Sequence, residues 1–559
     1  MINSFPAELE IPIGKRTFKY RFFEILPGAL SWFILALPIL LTLLDKTSRV
    51  AAIFILFFMM GWFYRSVGIA FRTLQGYSRM KESAQIPWEQ WLRDLDAPQN
   101  AINKLSIVSD ELSRRERLHL DNLQAYEADA GLHDLAPKDL LHLVIVPMWK
   151  ESYEVVAPTI RSLIDANYDS KSMMLVIAYE ERGGEVPKGT AHRLIEEFGD
   201  SFRVATTIEH KVLPNEVTGK GGNITWAARQ ILPYFSEHHI DYKTVVVTTL
   251  DADNRPHPDY FAHLSYSYVL TKDRKHHSYQ PLALYTNNIW DVPAAMRVLA
   301  VGNSFFTITQ SVRPHLLRNF SSHAQSLDAL IETDWWSVRT VVEDGHQFWR
   351  SYFAFKGNHQ VISIYSPVYQ DAVLSDTYRA TLKDQFTQVS RWAYGSSDIP
   401  YIANLGFRRK KNRIVPLGSF IPKFLRLLDT HVSWATAALL LLLAARIPLL
   451  IGPQANKSIV AHQLPIIASY AQTLALVGLF ISIFLSMKLL PPRPERYKRH
   501  RSVLMLAQWA LLPLTSIVYG SCAGLYSQTR LMLGKYLDKF ALTHKAIKSD
   551  PKSTKKSAS

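Results

Sequence analysis

The stretch TVVVTTLDADNRPHPDYF, Thr244–Phe261, decides how the middle of this chain is read. Its β-branched run suits a buried strand, and the run stops at two aspartates one residue apart, Asp251 and Asp253. Asp, Asn and Pro then bend the chain, so an ordinary acidic turn explains the segment by itself. Two carboxylates at i and i+2 on such a turn can also reach a shared ion, and hard oxygen ligands favour Mg2+ or Mn2+. Taken locally, both readings stand.

The flanking sequence places this strand last in an alternating series. LHLVIVPM (Leu141–Met148) reads as a buried strand, APTIRSLIDA (Ala157–Ala166) as a helix, SMMLVIAY (Ser172–Tyr179) as a strand and GTAHRLIEEF (Gly189–Phe198) as a helix. Such alternation predicts an α/β fold with a mostly parallel sheet and a ligand at the carboxyl ends of its strands. Outside this region the composition changes. Charge-free or nearly charge-free apolar runs occupy Ile25–Leu44 and Val50–Tyr64, then Val432–Gly452, Leu464–Leu490 and Val503–Tyr526. Each is long enough to cross, or nearly cross, a bilayer. The formal charge of +15, from 63 basic and 48 acidic residues, gathers beside these runs and in the tail. That placement favours membrane lipids over nucleic acid as partner. A single cysteine, Cys522, excludes an intramolecular disulfide framework and a cysteine-based metal cluster.

The connection PPRPERYKRHR (Pro491–Arg501) is crowded with Arg and Lys and is expected inside, which puts the central domain on the cytoplasmic side as well. Five simple crossings from an inside start would leave the basic KAIKSDPKSTKK (Lys545–Lys556) outside, against that rule. The last run, broken at Pro513, is therefore read as re-entrant, or as paired with the amphipathic RLMLGKYLDKFAL (Arg530–Leu542). The tryptophans of IPWEQWLRDL (Ile86–Leu95) fit either a membrane interface or an ordinary linker helix. The organisation expected is 1–71 with two membrane helices, 72–140 as linker or interfacial helices, 141–375 as the α/β domain, 376–430 as amphipathic interfacial helices, 431–528 with about three membrane helices, and 529–559 as a basic disordered tail.

Three further segments offer chemistry. In KVLPNEVTGKGGNITWAARQIL (Lys211–Leu232), glycines around Lys220 and a helix starting near Asn223 could bring backbone and ammonium to a phosphate, although a flexible loop explains the glycines equally. VVEDGHQFWR (Val341–Arg350) holds Glu343 and Asp344, either as helix-start carboxylates or with one acting as a general base. In QFTQVSRWAYG (Gln385–Gly395), Gln388, Arg391 and Trp392 share one helical face, where Arg suits phosphate and Trp a sugar or base; an interfacial helix would use the same residues as anchors.

The order VPMWKE, GKGGN, DAD, VED and QVSRW, flanked by membrane helices, resembles the family 2 glycosyltransferases with a GT-A fold. It is most similar to the membrane-embedded branch that contains cellulose, chitin and hyaluronan synthases. The resemblance implies a Rossmann-like GT-A domain and an inverting transfer of one sugar from a nucleotide diphosphate donor, most simply a UDP-sugar, to a glycan or lipid acceptor. Asp344 then matches the catalytic base with Glu343 in support. Asp251 and Asp253 match the pair that holds the diphosphate through Mg2+ or Mn2+. Pro147, Glu151, Glu180, Lys220, Asn223, Gln388, Arg391 and Trp392 fall at donor-binding positions, and SSHAQ (Ser321–Gln325) matches the acceptor loop poorly. The setting implied is a multi-pass protein of the plasma (inner) membrane engaged in polysaccharide synthesis. Transfer of a single sugar to a lipid is the alternative within the class, and a non-catalytic nucleotide-sugar-binding scaffold is the alternative outside it.

Overall fold

A run such as LHLVIVPM can be apolar at every position only if both faces of its strand are covered, and that is how it sits. In the computed structural model, which describes residues 9–45, 47–452, 454 and 457–537, β1 (Leu141–Met148) and β2 (Met173–Glu180) are buried almost throughout. Val144, Val146 and Met148 face one core layer with helices Tyr153–Ile164 and Tyr260–Val269. Leu141, Leu143 and Ile145 face the other, which is filled by Ile224, Ala227, Ala228, Ile231 and Phe235 of helix Lys220–Glu237. The period of two along β1 thus divides its side chains between two helix layers.

The remaining strands are β3 (Val204–His210), β4 (Val245–Thr249), β5 (Arg255–Pro256), β6 (His277–Leu284), β7 (His323–Ser326) and β8 (Gln360–Tyr369). They form one sheet in the order β3-β2-β1-β4-β7-β6-β8-β5. The half β3-β2-β1-β4 is parallel; it holds the three strands read from sequence and adds β3, which was not among them. The other half adds antiparallel pairings to a sheet that stays mostly parallel, as expected. There β7 runs antiparallel to both β4 and β6, and β5 antiparallel to β8, with β6 and β8 parallel. The strand that reverses the direction is four residues of HAQS, too short and too polar to show a period. It lies beside β4, so the strand ending in Asp251 is central and its carboxyl end opens at the change of direction.

Trp88 and Trp91 pack into the domain core and not a membrane interface. Trp88 stacks on His263 at 3.7 Å between ring centroids, Trp91 on His119 at 4.4 Å, and both touch Tyr266. Burying two indoles on the Tyr260–Val269 helix ties the linker to the sheet.

Among the described residues, five helices are long and apolar enough to cross a membrane: Phe18–Leu44, Arg49–Ser83, Leu417–Ile451, Ile459–Leu489 and His500–Met532. The second outruns its apolar stretch and meets helix Ala294–Ser311 so closely that a Cβ on Gly76 would lie 2.4 Å from the Ile308 carbonyl oxygen. Beside it the Thr73 and Thr309 hydroxyls are 2.9 Å apart. Arg446 is exposed and donates to the Leu442 carbonyl at 3.2 Å.

The fifth helix is interrupted by a 3-10 turn at Gln508–Leu511, by Pro513 and by a π-helical stretch at Ser516–Cys522. Near its start Arg501 donates to the Trp290 carbonyl, and at its end Tyr536 and Leu537 pack with Val341, Val342 and Tyr394. Both flanks of this run therefore touch the α/β domain. Residues 529–532, expected in the tail, complete this helix, and Tyr536 and Leu537 pack as just described. The Lys545–Lys556 segment and the rest of 538–559 lie outside the described residues.

Candidate active site

Four segments far apart in sequence converge on one ammonium group. Lys220 opens helix Lys220–Glu237, and its Nζ lies 2.9 Å from Asp251 Oδ1 and 3.3 Å from Asp344 Oδ1 while donating to the Ser321 carbonyl at 3.0 Å. Burial works against its charge, but Asp251, Asp344 and Glu343 outweigh that and raise its pKa, so the amine stays protonated. The glycine after it has a packing reason: a Cβ on Gly221 would sit 2.5 Å from the Ser337 carbonyl oxygen and 3.1 Å from the Glu343 Cβ. This close approach brings the donor loop of the sequence reading against the segment leading into the Glu343–Asp344 pair.

The DAD turn is braced from outside itself. Ser321 Oγ donates to Asp251 Oδ2 at 2.6 Å and accepts from Gln370 Nε2 at 2.9 Å. Ser321 does this from a left-handed backbone, φ +37°, which aims its carbonyl at Lys220 and its hydroxyl at Asp251. Asp253 is buried, with Oδ2 accepting from the Asp371 backbone N–H at 3.1 Å and its carbonyl from Asn287 Nδ2 at 3.0 Å. With the Asn254 amide oriented so that donors face acceptors, its nitrogen donates to Asp253 Oδ1 at 3.3 Å and its oxygen accepts from the Asp251 N–H at 3.2 Å. Ser321, Gln370 and Asn287 were not singled out as site residues. The first lies in a segment that resembles the acceptor loop poorly, and the other two carry no local signal.

Glu343 and Asp344 begin helix Glu343–Ala354, where a carboxylate meets the positive end of the helix dipole. They differ in access: Glu343 is 2% exposed, while the Asp344 side chain is 23% exposed. Burial and the neighbouring Asp344 push the Glu343 carboxyl up against the pull of Lys220 and Arg391. Burial also pushes Asp344 up, Lys220 pulls it down, and Asp251 adds to the rise. A native state that keeps a proton the unfolded chain has lost becomes less stable as pH rises from the ordinary carboxylate range through the raised one. Glu343→Gln removes that loss. Ligand-free Glu343→Gln is therefore expected to melt with the wild type near pH 5 and increasingly above it toward pH 8, as read by a thermal-shift series. Parallel curves across that range would mean that Glu343 ionises in the fold at no cost.

Arg391 is close enough to this cluster for Glu343, Asp251, Asp344 and Tyr285 to oppose the effect of burial on its guanidinium, whose pKa is lowered overall. Trp392 packs on Tyr285 with ring centroids 6.3 Å apart. Gln388 accepts from Gln385 at 3.3 Å, a bond within the helix. The last apolar helix holds this segment in place, with Ser527 Oγ donating to the Ser390 carbonyl at 2.5 Å.

The other sequence-derived positions form a second group at the ends of β1 and β2. Pro147 pairs in register with Ala178, whose carbonyl accepts from Asn223 Nδ2 at 2.8 Å. Glu180 is buried and ion-paired with Arg182, and that guanidinium lies 4.2 Å above the Trp149 ring. Glu151 spends one oxygen on the N–H groups of Trp149 and Lys150, at 2.7 and 3.1 Å, so it shapes its own loop. Trp149 and Arg182, a flat cationic-aromatic surface, had not been singled out.

The donor set suits a hard divalent cation in one respect and limits it in another. Asp251 and Asp253 carry oxygens of the kind such an ion takes, but no group of three or more His, Cys, Asp or Glu side chains able to hold a metal occurs among the described residues. The residues therefore fit an ion whose remaining positions are filled by water and by the oxygens of a bound ligand.

Fold and cleft together define an α/β domain with a cationic centre, flanking carboxylates and a docked set of apolar helices. Residues 246–520 match the family described as Glycosyl transferase family group 2. That match supports a family 2 glycosyltransferase, and the α/β domain has the GT-A fold. A search of curated proteins gave no significant match. Solved structures with similarity include the mannosyltransferase PcManGT from Pyrobaculum calidifontis in complex with GDP-Man and Mn2+, at 14% identity over 76% of this chain and 97% of that one, TM-score 0.36. S. aureus TarS 1-349 in complex with UDP follows at 10% identity over 62% and 90%, TM-score 0.34. GalNAc-T7 with UDP, GalNAc and Mn2+ shows 13% identity over 52% and 58%, TM-score 0.32. At these scores the likeness bears on neither substrate nor mechanism.

Proposed function

We propose that this protein is an inverting glycosyltransferase that moves a sugar from a nucleotide diphosphate donor, a UDP-sugar in the simplest case, to an acceptor hydroxyl at the cytoplasmic face of a membrane. The observation that carries the reading is the single ammonium of Lys220 bridging Asp251, on the strand-end turn, and Asp344, at a helix start, in a chain whose residues 246–520 match that family. Asp344 is the more exposed carboxylate of the adjacent pair, so it takes the proton of the acceptor hydroxyl. The acceptor oxygen then forms its bond to the anomeric carbon on the face opposite the diphosphate, and the bond from that carbon to the diphosphate oxygen breaks. Configuration inverts in this one displacement. Lys220 and Arg391 stabilise the charge that builds on the departing diphosphate. Asp251 and Asp253 would hold a Mg2+ or Mn2+ ion, which would supply further Lewis-acid stabilisation of that charge.

Trp149 and Arg182 offer a stacking surface for the base, and Pro147, Glu151, Glu180 and Asn223 shape it. Trp392, with Gln388 on the same helix, lies toward the acceptor end. The QVSRW segment favours a growing polysaccharide as acceptor. Only five candidate spans among the described residues favour a single transfer to a lipid instead. Contact of both flanks of the last helix with the α/β domain supports a tail on the domain's side of the membrane.

A screen of UDP- and GDP-sugars with the purified full chain, reading nucleoside diphosphate release with and without Mn2+ or Mg2+, tests the reaction. Metal-dependent release of a nucleoside diphosphate with one or a few donors is expected. Release of pyrophosphate or inorganic phosphate would place the protein among phosphoryl-transfer enzymes, and binding without turnover would make it a scaffold. Sizing of radiolabelled product on membranes separates a polymer from a single transfer.

A further inference from the structure

We infer that Glu10, in the strap that precedes the first apolar helix, is a positioning residue for the helix that carries Asp344; the inference rests on the reading of Asp344 as the base. Helix Glu343–Ala354 is unusual in what it buries. Glu343, His346, Gln347 and Arg350, at i, i+3, i+4 and i+7, make one fully buried polar stripe on it. Its greasy face, with Phe348, Trp349, Tyr352 and Phe353, packs in a cluster that also contains Leu9. Apolar packing tolerates small rotations and slides, whereas buried hydrogen-bonded charges do not, because each displaced partner leaves a desolvated group behind. The polar stripe therefore sets how far the helix is rotated and where its first turn points.

Each member of the stripe after Glu343 has its own key. His346 Nδ1 lies 2.7 Å from Asp398 Oδ1, and Gln347 Nε2 donates to Gln325 and Thr333 at 3.3 Å each. Arg350 has two kinds of partner. Its Nη2 donates to the Thr333 carbonyl at 2.8 Å, and its Nη1 is ion-paired with Glu10. The other oxygen of Glu10 accepts from Ser337 Oγ at 2.9 Å and from the Ile11 N–H at 2.8 Å. Backbone bonds seat the strap itself: Tyr401 OH donates to the Leu9 carbonyl and Arg339 Nη1 to the Ile11 carbonyl, both at 2.7 Å.

Glu10 thus joins two structures that meet the candidate centre. One is the helix, through Arg350. The other is the turn at Ser337, whose carbonyl lies where a Cβ on Gly221 would come within 2.5 Å, next to Lys220. The distance from Lys220 to Asp344 depends on both, so a carboxylate at position 10 holds acid-base group and cation in register without touching either. Removing its charge would take from the buried Arg350 guanidinium the carboxylate paired with its Nη1, a loss that a small rotation of the helix can relieve. That rotation would move Asp344.

The test uses full-length Glu10→Gln and Glu10→Asp beside wild type. Three readouts are taken: kcat and donor KM for nucleoside diphosphate release, melting temperature, and amide hydrogen exchange resolved over residues 333–354 and over β1 and β2. Glu10→Gln is expected to lower kcat at least tenfold with donor KM within twofold, and to speed exchange in 333–354 while β1 and β2 keep their protection. Glu10→Asp, which retains the charge, is expected to recover part of kcat. Unchanged exchange in 333–354 would overturn the inference, as would an equal rise in exchange across β1 and β2, since that marks general destabilisation. Local loosening with unaltered kcat would also overturn it. A wild type with no turnover on any donor would refute the functional reading instead, and local loosening in Glu10→Gln would then still uphold Glu10 as the brace of this helix.

Discussion

Asp344→Asn is expected to lower kcat for sugar transfer by about 10²–10⁴-fold, the span a general base contributes, while donor binding survives. The substitution keeps shape and removes one charge. Lys220 retains Asp251 at 2.9 Å and the Ser321 carbonyl at 3.0 Å, so the cationic centre stays assembled. The donor brings a diphosphate, and one fewer negative charge beside Lys220 leaves its affinity equal or higher. The adjacent Glu343 cannot substitute, because it is 2% exposed and points into the polar stripe of the helix. Isothermal titration with the donor and a stopped assay of nucleoside diphosphate release measure the two halves. An Asn variant that keeps more than a tenth of wild-type kcat would remove Asp344 from the reaction.

The same assignment has a pH signature. A base works in its ionised form, and burial raises the Asp344 pKa against the pull of Lys220. The acid limb of kcat/KM is therefore expected above the ordinary carboxylate range, with activity lost as pH falls through it. A limb at the ordinary value for aspartate would show that the carboxyl is solvated during catalysis.

How much of this was legible in the sequence follows from what each feature depends on. The continuous apolar runs of β1 and β2 and the charge-free helices announce themselves, because burial on both faces or in lipid leaves a signal in every residue. The pairs Asp251–Asp253 and Glu343–Asp344 were visible as short motifs with innocent alternatives. What no local pattern could show is that one lysine joins them, since Lys220 and Asp344 are 124 positions apart. Ser321 was hidden for a different reason: its left-handed turn is usually marked by Gly or Asn, and here a serine takes it because its hydroxyl is bound to Asp251. The antiparallel β7 was hidden by brevity. Trp88 and Trp91 gave a real signal with two readings, and the partners that decide between them, His119, His263 and Tyr266, lie on other helices. Glu10 gave none, because a carboxylate near a chain start is ordinarily solvated.

The two aspartates of the DAD turn should respond to substitution in different ways, and the difference tests the metal reading without relying on activity alone. Asp251 is bound within the protein, to Lys220 and Ser321. Asp251→Asn breaks an ion pair of a buried lysine, which keeps Asp344 as its other carboxylate. The expected loss of ligand-free stability is about 1–2 kcal/mol, below that of a fully buried pair, because the Asp251 side chain is about one-third open to solvent. Asp253 is held in another way: its Oδ2 accepts from the Asp371 backbone N–H at 3.1 Å, a bond that an asparagine oxygen can also accept. Asp253→Asn is therefore expected to leave the ligand-free melting temperature within about 2 °C of wild type. It should, however, lose most of the stabilisation that donor and Mn2+ give together, and lower Mn2+-dependent turnover about 100-fold or more, the scale of several kcal/mol that a Lewis-acid contact supplies. Thermal shift with Mn2+ alone, donor alone and both separates the effects. If Asp253→Asn retains the full joint stabilisation, Asp253 is a turn residue and nothing more; if it loses ligand-free stability as Asp251→Asn does, its carboxylate is structural. Only a loss confined to the ternary condition fits an aspartate whose charge is kept for an ion and a diphosphate.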